Sequence, residues 1–265
     1  MRLCNRHPSF RSIPSILLAA AVLLVVSCGR PQQATNTGQG SAERTGTSTL
    51  NGAGATFPAP LYAQWADAYR SAKGVEINYA AIGSGGGINQ IAARTVDFGA
   101  SDDPLKIDDL RKRGLIQFPA IIGGVVVAYN LPGFSGELKL DGPTVADIFL
   151  GKVKSWDDPR VQQLNPGTWL PHTAITPVYR SDGSGTSFIF TTYLSRVSPV
   201  WQSTIGADKS VNWPTGVGGK GNPGVAGFLM QIGSSIGYVE YSYAESNSLS
   251  MVTLTPRFPR SIECD

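Results

Sequence analysis

Apolar positions change their period several times along the chain. Residues 16–26 (Ile16 to Val26) form one unbroken apolar run. From Leu50 onward, short apolar runs of strand length alternate with stretches in which apolar residues recur every three to four positions. That alternation predicts an α/β fold. Leu50-Asn51-Gly52-Ala53-Gly54-Ala55-Thr56-Phe57 reads as a strand ending in a glycine turn. Pro58 and Pro60 then introduce a helix with Leu61, Trp65 and Tyr69 at helical spacing. Val75 to Tyr79 reads as a strand running into Gly83-Ser84-Gly85-Gly86-Gly87 and a helix with Ile88, Ile91 and Ala92. Ile175 to Arg180 reads as a strand, Ser181 to Thr186 as a small-residue turn, and a helix with Phe188, Ile189, Thr192 and Tyr193 follows. Further strands are expected at Val96–Ser101, Ile121–Asn130 and Ile236–Tyr241. A helix is expected at Val145–Leu150, and a glycine-rich loop at Gly216–Gly224 should lead into another.

The apolar run near the start has a different meaning. Arg2, Arg6 and Arg11 precede it and Ser27-Cys28-Gly29 follows, the layout of an export signal over residues 1–28. It is too short to span a bilayer comfortably. Val25-Val26-Ser27-Cys28 resembles a lipobox, which implies lipidation of Cys28 and a tethered, exported chain. Residues 29–47, rich in Gly, Thr, Gln and Ser, read as a flexible tether.

Composition narrows the function further. The chain has 265 residues, 42% hydrophobic and 15% charged, enough for a buried core. Its formal charge of +3 is matched by the three arginines of the leader, so the remainder is neutral. No global attraction to nucleic acid follows. Cys4, Cys28 and Cys264 form no CxxC pair, which argues against a zinc site or disulfide framework.

The three strand–turn–helix junctions share one capability. A helix start presents unpaired N–H groups and the positive end of the helix dipole, so each junction can seat an anion. Thr56, Ser84, Ser184 and Thr186 would add hydroxyl donors, although Ser and Thr at such places can simply cap the helix. Dinucleotide fingerprints fail, because Phe57 and Phe188 occupy the third-glycine positions. Lys220 is followed by Gly221, so there is no Walker loop and no nucleotide cofactor is implied. Catalytic groups are scarce: His7 belongs to the leader, His172 follows Pro171 in a loop, and Asp182 stands where a nucleophile elbow needs glycine. Of the adjacent acid pairs, Asp108-Asp109 and Asp157-Asp158 read as helix starts or solvated turns.

Gly52 to Pro60, Val96 to Asp102, Ile121 to Val125, Asp182 to Phe188 and Gly216 to Gly227 together resemble the PstS-type phosphate-binding family of bacterial phosphate ABC transporters. The resemblance covers about residues 48–254. It implies a two-lobed, periplasmic-binding-protein-like fold of type II, with the first lobe over residues 48–121 and the second over 122–254. It implies phosphate held by Thr56, Phe57 (through its backbone N–H), Ser84, Asp102, Arg180, Ser184, Gly185 and Thr186, with Asp182 positioning Arg180. A permease and an ATPase of the transporter are the implied partners, the receptor itself being a monomer and not an enzyme. Gly85 stands where the family often has a second serine.

Residues 255–265 lose the resemblance. They read as an aberrant tail, and the segment that finishes the second lobe and returns to complete the first is expected to be missing, so that both lobes are incomplete and the first exposes apolar surface and sheet edge. The competing expectations are a secreted phosphatase using Ser184 or Thr56 as nucleophile, and a defective truncated product. Physics separates the leading reading from a generic anion site. A carboxylate beside a bound anion repels it unless a proton lies between them. Phosphate near neutral pH still has one to give and sulfate does not, so Asp102 is the expected selectivity element and Arg180 the charge partner.

Overall fold

A computed structural model describes residues 48–256. The leader, Cys28 and the tether lie outside the described residues, as does the tail beyond Pro256.

The chain begins with β1 (Thr49–Gly54), α1 (Ala59–Lys73), β2 (Glu76–Ala81), α2 (Ser84–Ala92), β3 (Phe98–Ala100) and α3 (Ile107–Arg113). Next come β4 (Val125–Asn130), β5 (Lys139–Asp141), α4 (Gly142–Phe149), α5 (Pro159–Leu164), β6 (Thr176–Arg180) and α6 (Gly185–Val197). The remainder is α7 (Pro199–Thr204), β7 (Val217–Gly219), α8 (Gly221–Gln231), β8 (Ser235–Glu240), α9 (Tyr241–Ser246), β9 (Ser250–Met251) and β10 (Thr253–Thr255).

Two main sheets result. The first is wholly parallel, in the order β2-β1-β3, with Gly54 level with Ala81 on one side and Ala100 on the other. The second has the order β7-β6-β8-β4-β9: β6 is parallel to both β7 and β8, while β4 runs antiparallel to β8 and β9. A short parallel pair, β5 with β10, completes the set. Parallel strands point their carboxyl ends to one edge, and in such sheets that edge is where ligands bind.

The main core lies on the second sheet. Trp156, Trp201, Tyr238 and Phe149 are fully buried, and Phe190 stacks on Tyr238 with ring centroids 4.2 Å apart. Phe149 meets Phe190 edge-on at 5.0 Å. Burying a side chain such as Phe149 contributes about 1.5–3 kcal/mol, and ring geometry adds a further fraction. Tyr238 connects this core to the sheet edge, because its hydroxyl accepts from the Arg180 backbone N–H at 3.1 Å and pairs with Ser187 Oγ at 2.6 Å.

Several expected elements differ in extent. The strand foreseen over Ile121–Asn130 starts only at Val125; Gly123-Gly124 ends the regular pairing and Ile122 is 99% exposed. The strand at Val96–Ser101 shrinks to Phe98–Ala100. Part of the Gly216–Gly224 loop is a strand, since Val217–Gly219 pairs with Val178–Arg180. The stripe on α1 is only partly covered: Trp65 is 46% exposed and Tyr69 44%, while Tyr62 meets Tyr79 edge-on at 5.0 Å.

Candidate functional site

Each of the strands β1, β2, β3 and β6 brings a candidate residue to its carboxyl end or just past it. Thr56 and Phe57 follow β1, Ser84 opens α2 after β2, and Asp102 follows β3. From the second sheet, Arg180 closes β6 and Ser184, Gly185 and Thr186 form the start of α6. Thr56, Phe57, Ser84, Arg180, Ser184, Gly185 and Thr186 are buried, and Asp102 partly.

Hydrogen bonds tie these residues together across the two sheets. Ser84 Oγ accepts from the Gly185 N–H at 3.1 Å and from the Asp102 N–H at 3.2 Å. The Gly85 N–H donates to the Gly183 carbonyl at 2.9 Å. A methyl group added at Gly185 would lie 2.5 Å from Asp102 Cβ, so this approach requires glycine. Gly83 adopts a φ of +90°, and a Cβ there would lie 2.3 Å from Asp182 Oδ2.

The arginine is held rigidly. Arg180 Nε donates to Asp182 Oδ1 at 2.8 Å and Nη2 to Oδ2 at 2.6 Å; Asp182 Oδ1 also accepts from the Gly221 N–H at 2.9 Å. Nη1 lies 3.4 Å from Thr186 Oγ1. Burial pushes the Asp182 carboxyl up, but the Arg180 hydrogen bonds and charge outweigh it and leave the group below the usual carboxylate range. Asp182 thus holds Arg180 at two of its three nitrogens.

Asp102 has the opposite balance. Burial pushes its pKa up to about 7; the Arg180 charge and the Ser84 hydroxyl pull it down, while Glu240 and Asp103 add to the rise. A carboxyl poised near neutrality beside helix starts can exchange its role between proton acceptor and proton donor. With Phe57, Asp102 also lines a groove of about 870 Å³ bordered by Ile88, Phe98, Leu115 and Phe118.

Capping explains one of the hydroxyls. Ser184 Oγ accepts from the Ser187 N–H at 3.0 Å and is the N-cap of α6. Thr56 and Ser84 are not caps of this kind, since α1 and α2 have no side-chain cap hydrogen bond. Their hydroxyls instead take N–H donors from residues distant in sequence.

Sequence reasoning missed several participants. Asn222, in the first turn of α8, is fully buried and donates to Thr56 Oγ1 from its backbone N–H at 3.1 Å and from Nδ2 at 2.9 Å. Tyr243 donates its hydroxyl to the Thr56 carbonyl at 2.7 Å, and burial pushes that hydroxyl up to about 12. Lys209 Nζ meets Asp103 Oδ2 at 2.7 Å. The glycine-rich stretch around Asn222 was the available signal, but nothing in it singles out the amide.

The arrangement suits binding better than catalysis. His172 has a side chain 90% exposed and is engaged by Asp157 at 2.6 Å, whereas Ser184 is fully buried and capping a helix. Hydroxyl and histidine therefore do not form a nucleophile–base pair. Asp158 caps α5 and Asp108 and Asp109 sit in the first turn of α3, as expected for helix starts. Among the described residues no group of three or more His, Cys, Asp or Glu side chains is placed to hold a metal, and no helix is long and apolar enough to cross a membrane.

The model of a PBP superfamily domain matches residues 34–260. The phosphate-binding protein PstS of Pasteurella multocida is 57% identical over 207 residues, 78% of this chain and 60% of the relative. PstS of Xylella fastidiosa (strain Temecula1) is 53% identical over 229 residues, 86% of this chain and 63% of the relative. The chain thus spans about three fifths of the length of these curated relatives. Among solved structures, a phosphate-binding protein from Stenotrophomonas maltophilia superposes with a TM-score of 0.55 at 21% identity, covering 73% of this chain and 60% of that one. That likeness extends to the α/β fold.

Proposed function

Because the chain belongs to the PBP superfamily, and within it to the PstS-type phosphate-binding family, we propose that it captures inorganic phosphate outside the cytoplasmic membrane and delivers it to an ABC transporter for import. The observation that carries this reading is the meeting of three helix starts and Arg180 around the partly buried carboxyl of Asp102. Helix starts and hydroxyls supply donors, and Arg180, immobilised by Asp182, supplies the compensating charge. Phosphate is held by Thr56, the Phe57 N–H, Ser84, Arg180, Ser184, Gly185 and Thr186, and its remaining proton is donated to Asp102.

The two sheets form the two lobes of a receptor, over residues 48–121 and 122–254, which close on the anion. Cys28 is the lipid anchor and the receptor is a monomer that meets the permease and ATPase components of its transporter. Discrimination comes from the carboxylate. An ionised Asp102 facing sulfate sets two acceptors against each other with no proton between them, and buried unpaired groups of that kind reject an analogue by about four orders of magnitude in favourable cases. Calorimetric titration of the purified chain with phosphate, then with sulfate, tests the proposal. At pH 8, where Asp102 is ionised, saturable phosphate binding with far weaker sulfate binding is expected. Equal binding of both ions, or of neither, contradicts it, as does turnover of a phosphate ester.

A further inference from the structure

Asn222 uses its side-chain carbonyl and both amide hydrogens within the site. Its Oδ1 accepts from the Glu240 backbone N–H at 3.0 Å, which fixes the orientation of the amide. Its Nδ2 then has two hydrogens to place, and two threonine hydroxyls receive them: Thr56 Oγ1 at 2.9 Å and Thr186 Oγ1 at 3.3 Å. These two threonines come from different sheets, 166 and 36 residues away from the asparagine.

The consequence lies in what remains for each hydroxyl to do. A hydroxyl has one donor and two acceptor sites. Thr56 Oγ1 takes the backbone N–H and the Nδ2 of Asn222, which fills both acceptor sites. Thr186 Oγ1 takes Asn222 Nδ2 and Arg180 Nη1, which fills both of its own. Neither oxygen then has capacity for another donor, and each O–H can only donate. An anion needs such donors, whereas an ambivalent hydroxyl can turn its lone pairs toward the guest.

We infer that Asn222 is a positioning residue that converts Thr56 and Thr186 from ambivalent hydroxyls into obligate donors for an oxyanion. The inference rests on the phosphate-binding reading and adds a residue that acts without touching the ligand. It also gives the α8 start a purpose distinct from a dipole seat, because the backbone N–H of Asn222 is already committed to Thr56.

A thermodynamic cycle tests it. Phosphate affinity is measured calorimetrically for the wild-type chain, Asn222→Ala, the pair Thr56→Val with Thr186→Val, and the triple variant. Asn222→Leu, which restores volume without polarity, serves as a second variant wherever the alanine form fails to unfold cooperatively in the absence of phosphate. Loss of Asn222 is expected to weaken phosphate binding by about 100-fold in the wild-type background. Little further change is expected once both threonines are valine, because the amide then has no hydroxyl to orient. An equal loss in both backgrounds marks a purely structural role and overturns the inference, as does no loss in the wild-type background. If the wild-type chain itself does not bind phosphate, the functional reading falls and takes the inference with it; if the wild type binds and the cycle is additive, the inference alone falls.

Discussion

Arg180 and Asp182, two residues apart at the end of β6, form a two-pronged ion pair with contacts of 2.8 and 2.6 Å, and the arginine side chain is only 1% exposed. The pairing spends Nε and Nη2 on the partner and leaves Nη1 toward Thr186. A buried guanidinium without this partner would lose both its orientation and its charge compensation. Asp182→Ala is therefore expected to weaken phosphate binding by about 10- to 100-fold, the range for losing charge-assisted hydrogen bonds. Calorimetry on the variant checks the value; unchanged affinity would remove Asp182 from the account.

The approach of α6 to the β3 end of the first sheet depends on the absence of a side chain at one point. Gly185 lies where a Cβ would stand 2.5 Å from Asp102 Cβ and 2.6 Å from Ser84 Oγ. Gly185→Ala is expected to hold the two sheets apart and cut phosphate affinity by roughly 100-fold while leaving the distant aromatic core intact. Small-angle scattering with and without phosphate should show a contraction for the wild type and none for the variant.

Lys209 and Asp103, 106 residues apart, join the segment leading into Trp213 with the loop after β3 at 2.7 Å. The lysine is partly exposed, so its pair with Asp103 is worth only a modest amount. Lys209→Met is expected to raise the phosphate dissociation rate by about 2- to 5-fold with little effect on association, as for a contact made after encounter. Stopped-flow kinetics at two ionic strengths would separate this from a steering effect, which would alter the association rate instead.

Asp102 also links stability to pH. Its folded-state pKa, raised to about 7 chiefly by burial, exceeds its value of about 4 in an unfolded chain. The folded state therefore binds more protons between those limits, and this group lowers stability progressively as pH rises from 4 to 7, with no further change above. Asp102→Asn is expected to raise Tm at pH 8 by roughly 5 to 10 °C and to have a much smaller effect near pH 4.5. A variant less stable than wild type at pH 8 would contradict the burial argument.

The strand–turn–helix junctions were legible because their signals are local. Prolines at positions 58 and 60 start α1, Gly83 takes a φ of +90° before α2, and small residues fill the turn before α6. The residues taken from those junctions stand together in the structure, including the Asp182 clasp on Arg180. Asn222 and the Lys209–Asp103 pair were not legible, since partners 166 and 106 residues away leave no periodic trace. β7 was hidden for another reason: a glycine-rich stretch has weak strand propensity, and Val217–Gly219 is extended because β6 offers it a ladder. Ser184 illustrates the reverse case, where a hydroxyl chosen for ligand chemistry also has an ordinary capping role.

If the Asp102 carboxylate checks whether the guest still holds a proton, the phosphate-to-sulfate affinity ratio must depend on pH between 5.5 and 8.5, as titrations across that range would show. For the wild-type chain the ratio should climb as pH rises through about 7, because only ionised Asp102 rejects the unprotonated ion. In Asp102→Asn, whose amide can donate to either ion, the ratio should be small and vary far less with pH. A wild-type ratio that stays flat across this range, or a variant that discriminates as well as the wild type, would contradict the account.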